Sequence, residues 1–165
     1  MTEIKCAPHL HNNDSTTKIM YTVILALLPA ALGSIYFFGF YALKVILVCI
    51  ASCLASEVIS KKIFRKKLLI KDGSAVLSGL LLAFVLPPGI PLWIAALGGF
   101  LAIFLAKELF GGIGFNIFNP ALTSRAILLT SFPVQMTRYF LPLSYKVDAI
   151  TSPTPLAILK EQMPL

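Results

Sequence analysis

Between Gly73 and Ala106 the chain carries no Asp, Glu, Lys or Arg for 34 residues, and a second uncharged run of 25 extends from Ile19 to Leu43. One crossing of a bilayer needs about 20 apolar residues. The shorter run therefore fits one span and the longer run two brief ones. A soluble domain carries about 25% charged residues, whereas these 165 residues carry 13% and are 58% hydrophobic. A globular cytosolic fold is excluded on those grounds, and an all-α polytopic membrane protein of about five helices is expected.

The formal charge is +7, from 14 basic and 7 acidic residues. Six of the basic residues, Lys61, Lys62, Arg65, Lys66, Lys67 and Lys71, crowd the loop 60–71. Flanked by apolar spans, that loop has the position of a cytoplasmic loop under the positive-inside rule. Its expected partner is the lipid membrane and its anionic headgroups, not nucleic acid.

The expected organisation is a cytoplasmic segment 1–18, a transmembrane region 19–133 and an exterior tail 134–165. Span one covers Ile19 to Phe38, with Pro29 inside it and a tight turn at Gly39. Span two runs from Tyr41 to Ile59, with Lys44 and Glu57 expected to snorkel to the two interfaces. Two crossings separate the basic loop from the N-terminus and put both on the cytoplasmic side. No cleavable signal peptide is expected, because residues 1–18 are polar and the first apolar run lacks a small-residue cleavage site.

Span three is cut by Pro87-Pro88-Gly89-Ile90-Pro91 after 14 uncharged residues, ~21 Å of helix against a ~30 Å hydrocarbon core. Span four, Leu92 to Ala106, opens with Trp93, an interfacial residue type. A glycine-rich stretch, Phe110 to Asn116, leads to a fifth apolar segment ending near Phe132. Crossing count places everything after Pro133 outside. Short spans broken by Gly and Pro point to discontinuous helices around a mid-membrane site, or to ordinary helix ends. Arg125, alone in an otherwise uncharged segment, is a functional candidate because intramembrane arginine is costly. Glu108, exposed helix carbonyls and a ligand phosphate are its candidate partners, and a structural tie between helices is the alternative. Cys49 and Cys53, four apart, share a helix face. They read either as two small apolar residues in a span or as two thiolates of an iron–sulfur cluster shared between subunits. No metal site is expected from the chain by itself.

Several strings together resemble one family. They are Ala7-Pro8-His9, Lys18-Ile19-Met20, Ala26-Leu27-Leu28-Pro29-Ala30, Asp72-Gly73-Ser74-Ala75, Gly79 to Ala83, Leu86-Pro87-Pro88, Phe110 to Gly114 and Asn116 to Ala121. In this order, over nearly the whole chain, they resemble the RnfD/NqrB family, whose members are membrane subunits of the Rnf ferredoxin:NAD oxidoreductase and of the sodium-pumping NADH:quinone reductase. The opening segment is closer to the RnfD side of the family.

The resemblance implies FMN held covalently through its phosphate on a threonine. Thr154 takes that position, with Asp148, Thr151 and Ser152 completing the flavinylation motif and Pro153 standing where the family usually has alanine. A second, non-covalent flavin such as riboflavin is a further implication. The threonine is then a tether, and no catalytic acid, base or nucleophile is expected. The implied partners are the other membrane and redox subunits of an Rnf-type complex, a flavin transferase for maturation, and a missing C-terminal half. Family members are about twice this length, in a fold similar to urea transporters, so the chain is expected to be a fragment or one half of a split subunit. The implied location is the bacterial inner membrane, with residue 154 on the exterior. A transporter or channel half without redox role, its broken spans lining a permeation path, is the competing reading.

Overall fold

The computed structural model describes residues 15–65 and 72–143, and the backbone of residues 151–152. Asp148 and Thr154, most of the basic loop and most of the tail lie outside the described residues.

Helix α1 (Thr16–Phe38) starts where the Ser15 side chain accepts the Lys18 N–H, and ends at Gly39, whose φ of 63° suits a residue without a Cβ. Its 23 residues make ~35 Å of helix, enough to cross a bilayer. Helix α2 (Phe40–Ile63) follows at once and is equally long enough. Pro29 is accommodated inside α1. Ala31 is the one buried residue of α1, and large apolar side chains such as Leu25, Leu32 and Tyr36 are exposed. A helix this apolar with so little of it covered belongs in hydrocarbon or against further protein.

Helix α3 (Ser74–Val85) is as short as its composition predicts, 12 residues. It follows Gly73, which is left-handed at φ 69°, and it stops at Leu86, extended at ψ 146° as a residue before proline must be. Helix α4 (Leu92–Ile103) does not end near Ala106 as expected. It widens into a π-helical turn, Phe104–Glu108, and carries Lys107 and Glu108 inside the helix. Helix α5 (Pro120–Ser131) begins after Asn119, whose side chain accepts the N–H groups of Ala121 and Leu122. A four-residue helix, α6 (Pro133–Met136), leads to β1 (Tyr139–Phe140), which pairs antiparallel with β2 (Thr151–Ser152). The described chain is thus mostly helical, with two helices of membrane length and one short β clip.

The core lies between α2, α3, α4 and α5, where Cys49, Leu82, Ile94, Ile103 and Leu128 are fully buried. Side chains of α2 reach the carbonyls of α4 in regular succession. Cys49 Sγ faces Ala95 O at 4.0 Å, Ser52 Oγ donates to Ala96 O, Cys53 Sγ faces Gly99 O at 3.6 Å, and Ser56 Oγ donates to Phe100 O at 3.2 Å. Partners rise together along both helices, so α2 and α4 run parallel, as two elements one return crossing apart must.

Small residues permit this approach, the usual device where lipid supplies no hydrophobic drive between helices. A Cβ on Gly79 of α3 would lie 2.8 Å from the Ile50 Cα, and one on Gly99 would lie 2.8 Å from the Ser52 Cβ. Gly79→Ala is therefore expected to destabilise the bundle by about 1–3 kcal/mol, despite the better helix propensity of alanine, because the obstacle is backbone. Maleimide labelling of Cys49 and Cys53 in a Cys6→Ser background would report it as faster thiol exposure.

Candidate functional site

Two constellations stand at opposite ends of α2. At the end where α2 finishes, Glu57 Oε1 accepts from Lys61 Nζ at 2.9 Å and from Lys107 Nζ at 2.7 Å, while Lys107 also donates to Ser74 Oγ at 2.8 Å. The cluster ties the last turns of α2 to the π-turn and to the first residue of α3. Glu57 and Lys107 are each only 2% exposed. Glu57 therefore does not snorkel to an interface. It faces α4 on the same side as Cys53, and its compensation is internal. Lys61 is likewise not a loop residue but a buried member of α2, because the helix runs on to Ile63. Glu108 is buried beside them. Among the described residues no buried side-chain nitrogen or oxygen lacks a partner.

Sequence reasoning missed this cluster. The four-residue spacing of Glu57 and Lys61 is a visible helical pairing signal. Lys107 carries none, since its partner lies 50 residues away.

At the other end, the chain after α6 folds back over the bundle. The Phe140 ring lies against Gly89, where a Cβ would collide with it, and 5.7 Å from the Tyr41 ring. Leu143 N–H donates to Phe37 O at 2.6 Å. Strand β1 is thereby fixed where α1 ends and α2 begins. Through the register Tyr139↔Ser152 and Phe140↔Thr151 it holds β2 there too. Of the residues that the resemblance implies for flavin attachment, Thr151 and Ser152 are thus brought to the end of the helices opposite Lys61 and Lys62. Trp93, exposed at the start of α4, stands edge-on to Phe132 at this same end.

Beside β1 lies a cavity of about 190 Å³, walled largely by apolar side chains that include Phe38, Phe84 and Tyr139. Its lining is mainly apolar, with Ser34 and Tyr139 as the hydroxyl-bearing residues.

Arg125 sits on α5, half-exposed, and makes no hydrogen bond or ion pair with a described residue. The expected pairing with Glu108 is not formed. Helix α5 turns Ala121, Ser124 and Leu128 to the core, with Ser124 Oγ donating to Gly98 O at 2.7 Å, and Arg125 is rotated to the flank. Cys49 and Cys53 are both wholly buried against α4. They present no thiol to a neighbouring subunit, which corrects the cluster-ligand alternative, and they act as small packing residues.

A family model described as the NQR2, RnfD, RnfE family matches residues 3–164. The D subunit of the proton-translocating ferredoxin:NAD(+) oxidoreductase complex of Clostridium ljungdahlii is 46% identical over 159 residues, covering 96% of this chain and 48% of the relative. Its counterpart in the Na(+)-translocating ferredoxin:NAD(+) oxidoreductase complex of Acetobacterium woodii is 44% identical over 158 residues, covering 95% and 49%. The corresponding subunit of the ion-translocating oxidoreductase complex of Rhodobacter capsulatus is 38% identical over 176 residues, covering 94% and 49%. The chain spans about half the length of these curated relatives.

Proposed function

The chain belongs to the NQR2, RnfD, RnfE family, and from that premise we propose that it serves as the RnfD-type membrane subunit of an ion-translocating ferredoxin:NAD oxidoreductase complex, with FMN joined to Thr154 as a phosphoester. The relatives' names support the complex. The observation that carries the site is the β clip, which holds Ser152, two residues before Thr154, at the end of α2 remote from the lysines.

The lysine end is read as cytoplasmic, by the preference of basic residues for that side, and residue 154 then belongs to the exterior of a bacterial inner membrane. The architecture is read as five crossings, half of a urea-transporter-like fold whose second half supplies further neighbours for α1. Asp148, Thr151 and Ser152 form the motif that a flavin transferase reads. The other membrane and redox subunits of the complex are its partners, and riboflavin is a candidate second flavin. Bound FMN supplies a ring that exchanges electrons singly or in pairs, so it can join one-electron carriers to other redox partners. The chain's own contribution is position. The threonine hydroxyl would anchor the phosphate, and the β clip sets the chain two residues before it at the end of α2 remote from the lysines.

Mass spectrometry of the tryptic peptide 147–160 tests the assignment. From cells that possess the flavin transferase, the peptide is expected to carry FMN less one water on Thr154. An unmodified peptide from such cells overturns the flavin reading.

A further inference from the structure

Resting on the reading of the chain as part of a longer membrane subunit, we propose that the outer face of α5 and the irregular segment before it form a docking surface. Its occupant is a membrane helix of the half that the relatives have beyond this chain, and that helix brings an Asp or Glu carboxylate to Arg125.

Depth is the first argument. Ser124 Oγ meets Gly98 O and Phe132 meets Trp93, so α5 climbs beside α4 toward the end that bears the β clip. From Arg125 to Phe132 is ~10 Å of helix, and from the level of Gly98 down to Glu108 is ~15 Å. Arg125 therefore stands well inside the hydrocarbon layer. A helical side chain leans toward its own N-terminus, which for α5 is away from the nearer headgroups, so a lipid phosphate is out of place as its counter-ion. Arg125 has no partner among the described residues, and an unpaired guanidinium at this depth is costly.

The backbone is the second. Pro120 starts α5 about level with Ala102, while α4 and its π-turn continue to Glu108. Asn116, Ile117 and Phe118 thus approach α5 beside the last turns of α4, in no regular structure, and their N–H and C=O groups bond to no described residue. Irregular backbone at membrane depth persists only against protein or in a water-filled cavity. The exposed side chains of Phe115, Ile117 and Phe118 favour protein over water. Leu122, Ala126 and Leu129 carry the apolar surface up α5 at helical spacing, with Arg125 on the same face. An open groove lined by Phe118, Leu122 and Ala126 runs along it, the relief into which the ridge of a second helix packs.

Charge and chain length choose the occupant. Glu57, Asp72 and Glu108, the described carboxylates, all stand at the lysine end, so the described part of a second copy offers Arg125 no acid at its depth. The relatives hold about as much chain again as this one matches, and that half is the source of the helix.

The test uses the whole complex in its own membrane. A benzophenone amino acid placed at Leu122, and separately at Phe118, is expected to photocrosslink to a segment aligning with the relatives' unmatched half, one that contains an intramembrane Asp or Glu. Arg125→Glu should cut the crosslink yield several-fold, and changing that acid to arginine in the same complex should restore it. Arg125→Lys, which keeps the charge, should retain most of the yield. Crosslinks confined to lipid, to a second copy or to another protein overturn the docking surface and leave the subunit reading intact. So does a crosslinked segment without an intramembrane acid, a yield unchanged by Arg125→Glu, or a loss that the reciprocal change fails to restore. A purified complex with no sequence aligning to the unmatched half overturns the surface together with the subunit reading. The flavin on Thr154 enters neither readout.

Discussion

Substituting Glu57 by leucine is expected to destabilise the protein by about 3–5 kcal/mol, the range for removing one partner of a buried ion pair. The upper end applies because one carboxylate oxygen serves two ammonium groups, Lys61 at 2.9 Å and Lys107 at 2.7 Å. Leucine would leave both cations in place, with Ser74 as the remaining described contact of Lys107. Adding Lys107→Met should return part of the loss, since an apolar replacement of both partners is often neutral. The measurement is the thermal midpoint for exposure of Cys49 and Cys53, which lie on α2 above the cluster. A single variant as stable as the wild type, or a double variant worse than the sum of the two single changes, would show that the cluster does not tie the helices as described.

Thr154→Val is expected to remove the covalent flavin completely while the chain still inserts in the membrane. Valine matches threonine in shape and lacks only the hydroxyl, so no phosphoester can form. The effect is all-or-none, in contrast to the graded losses produced by packing changes. Loss of the fluorescent band from a denaturing gel, with unchanged protein in the membrane fraction, is the expected pair of readings. A band that survives the substitution places the flavin on another residue. Substituting Thr151 or Ser152 by alanine should lower the yield of attachment without abolishing it, if those residues are read by the transferase and do not carry the bond.

The helical layout is legible in the sequence because its punctuation is chemical. Gly39 ends α1, Leu86 is forced out of helix by Pro87, and Asn119-Pro120 starts α5 as a cap followed by a residue that needs no donor. A span ending at Ala106 is the wrong expectation because it treats the first charged residue as a border. Lys107 and Glu108 stay in the helix because a carboxylate on α2 and a hydroxyl on α3 meet the lysine, a compensation made in three dimensions across 50 and 33 residues of chain. The snorkelling expected of Glu57 fails for the same reason. The β clip leaves no trace in the sequence, since two-residue strands are too short to show alternation, and its anchors on Phe37, Tyr41 and Gly89 are distant along the chain. The proposal for Thr154 rests only on the motif around it, since a lone threonine in a polar tail has no physical mark.

The π-turn bears on how a helix of this kind can change length. Two rows of contact fix α4, the carbonyls that face α2 from Ala95 to Phe100 on one side and the Lys107 ammonium on the other. In a regular helix each residue turns ~100° around the axis, so an added residue would carry everything beyond it off its partners. The wide turn, closed by Leu109 N–H to Phe104 O, takes up such a residue locally and leaves both rows in place. This stretch can therefore accept or lose one residue in the middle of a packed helix, a tolerance otherwise confined to loops, and it is where related chains differing in length by one should be aligned.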